Sequence, residues 1–213
     1  MRILVTGFEP FGGEGRNPSA EILGLLPRRH AGLSVSTLLL PVVFGESARK
    51  AGAAIRELDP AAVLMLGQAG GRPDVTVERV AINLDDARIA DNRRKKPVDR
   101  PIDPRGPAAY FSTLPVREMV AAINAAGIPA SLSLSAGSFV CNHLLYSVLH
   151  QLAAGSPGSA GTMAGFIHLP WLPDQAAAKT GQASMGLDLQ RTAVIAAIGA
   201  IGASLAPVRG GTR

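Results

Sequence analysis

Two rhythms of apolar and polar positions alternate along the chain. Short apolar runs that stop at glycine, proline or a polar residue read as buried strands, at 2–6, 34–41, 62–66, 76–82, 130–134 and 164–167. Between them lie segments with helical spacing. Asn17-Pro18 supplies an N-cap and a proline at the first helical position, which opens a helix over about 18–26. Helical patterns also cover 46–58, ending at Asp59-Pro60, 115–126, ending at Gly127, and then 140–153 and 184–205. The stretch 83–107 is polar, charged and rich in proline. It is long for a structureless connection, and such segments usually cover or bind something. Residues 155–161 form a Gly/Ser linker.

No internal repeat or interdomain linker interrupts this pattern, so residues 1–213 read as one domain. Alternation of strand and helix predicts a three-layer α/β/α sandwich around a mixed, largely parallel sheet. Ligands of such sheets sit outside the carboxyl ends of the strands, which decides where chemistry is sought.

Composition refines the picture. Hydrophobic residues make up 47% of the chain, enough for a packed core without disulfides or metals. The net charge is +5, carried by scattered arginines and two clusters, Arg28-Arg29 and Arg93-Arg94-Lys95-Lys96. No aromatics interleave with them, so a solvated face and a charged loop are expected rather than a nucleic-acid surface. A lone cysteine excludes an intrachain disulfide and points to a reducing compartment, the cytoplasm. The first residues lack the apolar core of a secretory signal, and the apolar run 193–206 falls short of the ~20 residues that span a bilayer. That run, broken by Gly199, Gly202 and Ser204, reads as a packed terminal helix, and no membrane partner is expected.

Cys141 falls just after a turn, at the start of the helix over 140–153. Helix amides and the helix dipole lower a thiol's pKa there, and the same amides suit a developing oxyanion. Position alone leaves an inert buried cysteine equally open. Of four histidines, His30 lies in a polar turn and His150 lies deep in the cysteine's own helix. His143, two residues beyond Cys141, points to another helix face. His168 ends a strand, which makes it the best base on geometry. Glu78 sits inside an apolar strand, where a carboxylate must be paired. His168, Arg79 and Arg88 are all candidate partners. Phe8, Phe11 and Phe139 fall on loops near strand ends and together suggest an apolar pocket. The first loop has neither G-x-G-x-x-G spacing nor a Walker A lysine, and no residue cluster has metal-ligand spacing.

Several long motifs add to this. They are Thr6-Gly7-Phe8-Glu9-Pro10-Phe11-Gly12-Gly13, Asn17-Pro18-Ser19, Gly67-Gln68-Ala69-Gly70-Gly71-Arg72, Glu78-Arg79-Val80-Ala81, Asp86-Ala87-Arg88-Ile89, Ala109-Tyr110-Phe111-Ser112-Thr113-Leu114-Pro115, Ser135-Ala136-Gly137, Val140-Cys141-Asn142 and Gly165-Phe166-Ile167-His168. In this order they resemble the pyroglutamyl peptidase I family of cysteine peptidases, over nearly the whole chain. The resemblance implies removal of an N-terminal pyroglutamyl residue from peptides by a Cys-His-Glu triad, through a thioacyl-enzyme. The triad falls on Cys141, His168 and Glu78. The family's pyroglutamate pocket falls on Phe8, Phe11, Gln68, Ile89, Phe139 and Val140. Arg88 is a candidate for steadying the oxyanion. No metal or organic cofactor is implied, and a homotetramer or dimer is expected.

Two rival readings stand beside this one. A nucleoside phosphorylase-like enzyme would share the architecture but need a phosphate site and no Cys141. A basic nucleic-acid-binding module would bind with steep salt dependence and ignore thiol reagents.

Overall fold

The most apolar runs of the chain become the middle of the sheet. The computed structural model describes residues 1–155 and 161–206, so the predicted linker over 155–161 lies almost wholly outside the described residues. Strand β1 (Arg2–Phe8) leads to helix α1 (Pro18–Leu23), then β2 (Arg29–His30), β3 (Leu33–Leu40), α2 (Glu46–Leu58) and β4 (Ala62–Gln68). Strands β5 (Val75–Glu78), β6 (Val80–Ile82) and β7 (Ala109–Phe111) follow. Next come α3 (Val116–Ala125), β8 (Ala130–Ser133), α4 (Val140–Ala153), β9 (Met163–Leu169), α5 (Pro173–Ala177) and α6 (Leu187–Leu205). Seven strands form one sheet in the order β2-β3-β1-β4-β9-β5-β8.

Strands β3, β1, β4 and β9 run parallel, while β5 is antiparallel to β9 and parallel to β8. The sheet is therefore mixed and mostly parallel, as the alternation predicts. Because side chains alternate across a strand, each face buries its own core. Ile3, Val5, Leu64, Leu66, Val77 and Ile167 pack with Met119, Ile123 and the α6 residues Val194 and Ile198. Leu4, Val63, Met65 and Phe166 pack on the other face with Ile55 of α2 and Leu144, Leu145 and Val148 of α4. Helices α1, α3 and α6 thus cover one face, and α2 and α4 cover the other.

The predicted single strand over 76–82 is instead two strands broken at Arg79. The Arg79 N–H donates to the Ser133 carbonyl at 2.8 Å, while its own carbonyl accepts from the Ser112 N–H at 2.9 Å. One residue thus passes the chain from the main sheet to a separate hairpin of β6 and β7. The elements β2, β7 and α5 have two, three and five residues, too short for a periodicity to register. The final helix starts at Leu187, three residues later than expected, behind an N-cap at Gly186.

The stretch 83–107 carries no named strand, yet its backbone is well tied. Asp85 and Arg100 exchange backbone hydrogen bonds of 2.7 and 3.0 Å. The buried Asp91 carboxylate accepts from the amides of Phe44, Arg93 and Lys95, which fixes the turn carrying the basic run. In α6 the small residue Gly202 has a packing reason. A side chain there would strike the backbone of Ala31. Among the described residues no helix is long and apolar enough to cross a membrane.

Gly7 shows how tightly the site end of the sheet is built. A Cβ on Gly7 would overlap the Ser19 carbonyl, because α1 lies directly against the end of β1. Gly7→Ala should therefore cost about 1–3 kcal/mol of overpacking strain, measured by urea denaturation. An unchanged midpoint would show that α1 can move away freely.

Candidate active site

Two strand ends and one helix start converge on a small cavity lined by Phe8, Phe11, Asn17, Val42, Gln68, Phe139, Val140 and Cys141. About 210 Å³ of space, part of it open to solvent, lies among these residues. Phe8 ends β1 and Gln68 ends β4, so both obey the rule of strand carboxyl ends. Asn17 shapes the wall. Its side chain caps α1 through the Ser19 N–H at 3.0 Å and donates to the Glu9 carbonyl at 3.0 Å. Phe139 packs against Phe11 with ring centroids 6.0 Å apart, and Phe44 meets it edge-on at 5.3 Å.

Cys141 is the second residue of α4 and half-buried. No side chain caps this helix, so no side chain occupies its first-turn amides, and Phe139, Val140 and Cys141 at this end line the cavity. Asn142 anchors the helix start. It accepts from the Ile82 N–H at 2.9 Å and donates to the carbonyls of Ile82 and Leu84.

The thiol lies over Gly67 of β4. A Cβ built there would come within 3.0 Å of Sγ and 2.7 Å of the Phe166 ring. Gly67 is the register partner of His168 on β9, so the thiol and the imidazole occupy one face of the sheet, one strand apart. They are not hydrogen-bonded to each other among the described residues. Catalytic contacts are often loose without substrate.

His168 is 4% exposed, and its Nδ1 lies 2.7 Å from Glu78 Oε1. The carboxylate can only accept, so Nδ1 carries the proton and Nε2 keeps its lone pair. Phe166 covers the ring at 4.7 Å. Glu78 is fully buried, and its Oε1 also accepts from Arg72 Nη1 at 2.6 Å. Arg72 is held in turn by Thr76 Oγ1 and, at 3.2 Å, by the Ser135 carbonyl. Oε2 of Glu78 has no hydrogen-bond partner among the described residues.

Glu78 arrives from an unexpected direction. Strand β5 runs antiparallel to β9, with Glu78 opposite Phe166 and Thr76 opposite His168. The strand-end rule finds Gln68 and His168 but not this carboxylate. Its cation is Arg72, a residue the charge argument passed over in favour of Arg79 and Arg88. Arg79 instead sits over the Phe111 ring at 5.9 Å, and Arg88 is exposed. A fully buried carboxylate on β5 demanded a cation, and that was the available signal for Arg72. Ile89 is exposed on the same loop, 3.4 Å from where a Gly12 Cβ would stand and outside the cavity's own lining.

The other histidines serve the scaffold. His143 accepts the Gly45 N–H at Nε2, 3.1 Å, and points Nδ1 at the Asp85 carboxylate, 2.9 Å. His150 pairs with the Tyr110 hydroxyl at 2.8 Å, and His30 lies on the edge strand β2. Among the described residues no group of three or more His, Cys, Asp and Glu side chains is arranged to hold a metal ion.

Electrostatics correct one expectation. Burial pushes the Cys141 thiol up to about 12, helped by the Glu78 charge, and Arg72 and the residue's own amide offset only part of this. The helix start does not produce a resting thiolate. Burial likewise holds His168 below the ordinary histidine value, against the opposing hydrogen bond and charge of Glu78. Burial would raise the Glu78 carboxyl, but the His168 hydrogen bond and charge, then Ser133 and Arg72, outweigh it and hold it below the usual carboxylate range. The hydroxyl of Ser133 is directed at the Ser135 carbonyl, so its help is electrostatic. At neutral pH the site therefore holds a neutral thiol, a neutral imidazole and an ionised carboxylate.

The sequence profile of the family described as pyroglutamyl peptidase matches residues 1–204. A pyrrolidone-carboxylate peptidase of Escherichia fergusonii is 55% identical over 197 residues, covering 92% of this chain and 90% of its own. One from Gloeobacter violaceus is 52% identical, covering 88% and 90%. Among solved structures, pyroglutamyl peptidase I of Bacillus amyloliquefaciens superposes with a TM-score of 0.90 at 39% identity, covering 95% of this chain and 97% of its own. A mutant pyrrolidone carboxyl peptidase of Pyrococcus furiosus also gives 0.90, at 40% identity, covering 97% and 100%.

With the thiol pushed up to about 12, the rate of Cys141 alkylation by iodoacetamide should rise about tenfold per pH unit from neutrality through pH 9. A plateau below pH 8 would instead reveal a resting thiolate–imidazolium pair.

Proposed function

The chain belongs to the pyroglutamyl peptidase family of cysteine hydrolases, and from that premise we propose that it removes the N-terminal pyroglutamyl residue from peptides, with Cys141 as nucleophile, His168 as base and Glu78 as orienting carboxylate. The observation that carries this reading is the Glu78–His168 hydrogen bond on the sheet face that Cys141 overhangs. It leaves His168 Nε2 as the one basic atom of the ring.

The cavity suits the substrate group. Pyroglutamate is a small, uncharged, flat lactam. Phe8, Phe11, Phe139, Val140 and Val42 offer apolar walls, and Gln68 offers an amide for the ring's polar edge. Among the described residues no cation or carboxylate lines the cavity to favour a charged amino terminus.

In the first half-reaction the Cys141 proton passes to His168 Nε2 as sulfur attacks the carbonyl joining pyroglutamate to the next residue. Negative charge develops on the carbonyl oxygen and is held by the uncapped first-turn amides of α4. Arg88 is a second candidate for this charge, although its side chain is exposed. As the C–N bond breaks, His168 returns its proton to the leaving amine, and a pyroglutamyl thioester remains on Cys141. Water then repeats the sequence. His168 takes its proton, oxygen adds to the thioester carbonyl, and the thiol leaves with pyroglutamic acid released. Because the resting pair is neutral, proton transfer accompanies attack. Glu78 stabilises the imidazolium that forms transiently, and Arg72 pairs with the same carboxylate oxygen.

The rival phosphorylase and nucleic-acid readings gain no support from this family or from this cavity. A thiol nucleophile must stay reduced, which favours the cytoplasm as its place of work. Exposed apolar side chains, such as Phe111 at 67% and Leu134 at 71%, favour a homo-oligomer, a dimer or tetramer.

Wild-type protein should release aminomethylcoumarin from its pyroglutamyl amide and leave the prolyl amide, which lacks the ring carbonyl, largely untouched. Absence of turnover by folded protein would sink the assignment. Cys141→Ala should abolish turnover. His168→Ala should lower kcat by about 100-fold or more, whereas His143→Ala should cost stability and leave turnover per folded molecule nearly unchanged. For pH the sign is set by burial of His168. Its unfolded form takes a proton near 6.5 and its folded form only at lower pH. The acid limb of kcat/KM should therefore lie below pH 6.5, and folding stability should fall as pH drops through that same interval.

A further inference from the structure

Beyond the triad, we infer that Gln175 is a positioning residue that decides which end of the Gln68 amide faces the cavity, making the cavity selective for a ring carbonyl. The inference rests on the reading of this cavity as the pyroglutamyl subsite.

The argument starts from a group that cannot change its role. The Leu172 N–H is a backbone donor, and it donates to Gln175 Oε1 at 3.0 Å. That contact turns Gln175 Nε2 the other way, where it meets acceptors. They are the Arg16 carbonyl at 3.2 Å, the Glu14 carboxylate at 3.2 Å and Gln68 Oε1 at 3.0 Å. Flipping the Gln175 amide would set N–H against N–H at Leu172 and oxygen against oxygen at Arg16 and Glu14. Donor and acceptor ends therefore agree on a single orientation.

Gln68 inherits that orientation. Its oxygen is committed to Gln175, so its NH₂ points the other way and has no hydrogen-bond partner among the described residues. Gln68 is 7% exposed and lines the cavity beside Phe8, Phe11, Phe139 and Cys141. Among the residues lining this cavity, Gln68 thus leaves a side-chain donor without a partner among the described residues, and the matching ligand group is an acceptor. A lactam carbonyl fits. A ligand that placed an N–H there would meet a like group and lose about 1–3 kcal/mol as an unpaired buried donor.

The frame around Gln175 is rigid for so short a helix. Gln175 itself is 7% exposed. Lys179 donates to its carbonyl at 3.0 Å and pairs with Glu14 at 2.8 Å. Arg16 pairs with Asp174 at 2.6 Å. Each exposed ion pair contributes little by itself. Together they hold α5 against the loop that bears Phe11, so Gln175 joins two cavity walls.

The test is a double-mutant cycle on the pyroglutamyl aminomethylcoumarin substrate, with Gln68→Met, Gln175→Met and the two combined. Gln175→Met should lower kcat/KM about three- to tenfold, mainly through KM. In the Gln68→Met background the same change should alter kcat/KM by less than about twofold. Gln175→Glu keeps an acceptor for Leu172 but removes the donors. Gln68 then turns to donate to the new carboxylate and shows its oxygen to the ring carbonyl, so the loss should exceed about tenfold. The rate of Cys141 alkylation by iodoacetamide should stay at the wild-type value in Gln175→Met, which general disruption of the site would not allow. Equal losses from Gln175→Met with and without Gln68, or no loss at all, would overturn the inference. If Gln175→Met lacks a cooperative thermal transition, Gln175→Glu carries the comparison. Failure of both to fold would make Gln175 purely structural and also overturn it. A wild-type protein inactive on the substrate would refute the activity itself, so the two failures are separable.

Discussion

A carboxylate with no exposed surface, Glu78, is the constraint on which the site depends. An ion in that position is costly unless opposite charge and donors surround it. Arg72 and His168 converge on its Oε1, and each is aligned by doing so. The same contact that makes Glu78 tolerable fixes the tautomer of His168 and aims its free nitrogen away from the carboxylate. Removing the carboxylate would leave a half-buried guanidinium with less to neutralise it and an imidazole free to turn.

The fold supplies this arrangement by bending its own rule. A purely parallel sheet would bring only strand ends to the cavity. The antiparallel β5 lays Glu78 opposite Phe166 and so within reach of a ring two residues further along β9. The uncapped start of α4 hangs the thiol above Gly67, where the missing side chain leaves room for sulfur and for the Phe166 ring. Burial then keeps thiol and imidazole neutral together.

Much of this was legible in the sequence, for identifiable reasons. Apolar runs and capping residues set the strands and helices of the main sheet, and the bounds expected for α2 and α4 hold. Cys141 and His168 stood out because a helix start and a strand end are places where chemistry collects. Glu78 emerged as a carboxylate in an apolar strand, but its partners did not, because pairing depends on the direction of β5. No local pattern encodes that direction. Arg72 and Gln175 were missed for the same reason, since each acts through a side chain distant in sequence. The upward push on the thiol was not legible, because a helix dipole can be read from sequence, whereas desolvation and the charge of Glu78 depend on tertiary packing.

The central claim is that Cys141 carries the pyroglutamyl group during turnover. Rapid acid quenching during reaction with an activated pyroglutamyl ester, followed by digestion and mass spectrometry, tests it directly. The account predicts the mass of one pyroglutamyl group on the peptide containing Cys141, lost on reaction with hydroxylamine and absent in Cys141→Ala. Turnover by wild-type protein with the group on another residue, or turnover retained by Cys141→Ala, would contradict it.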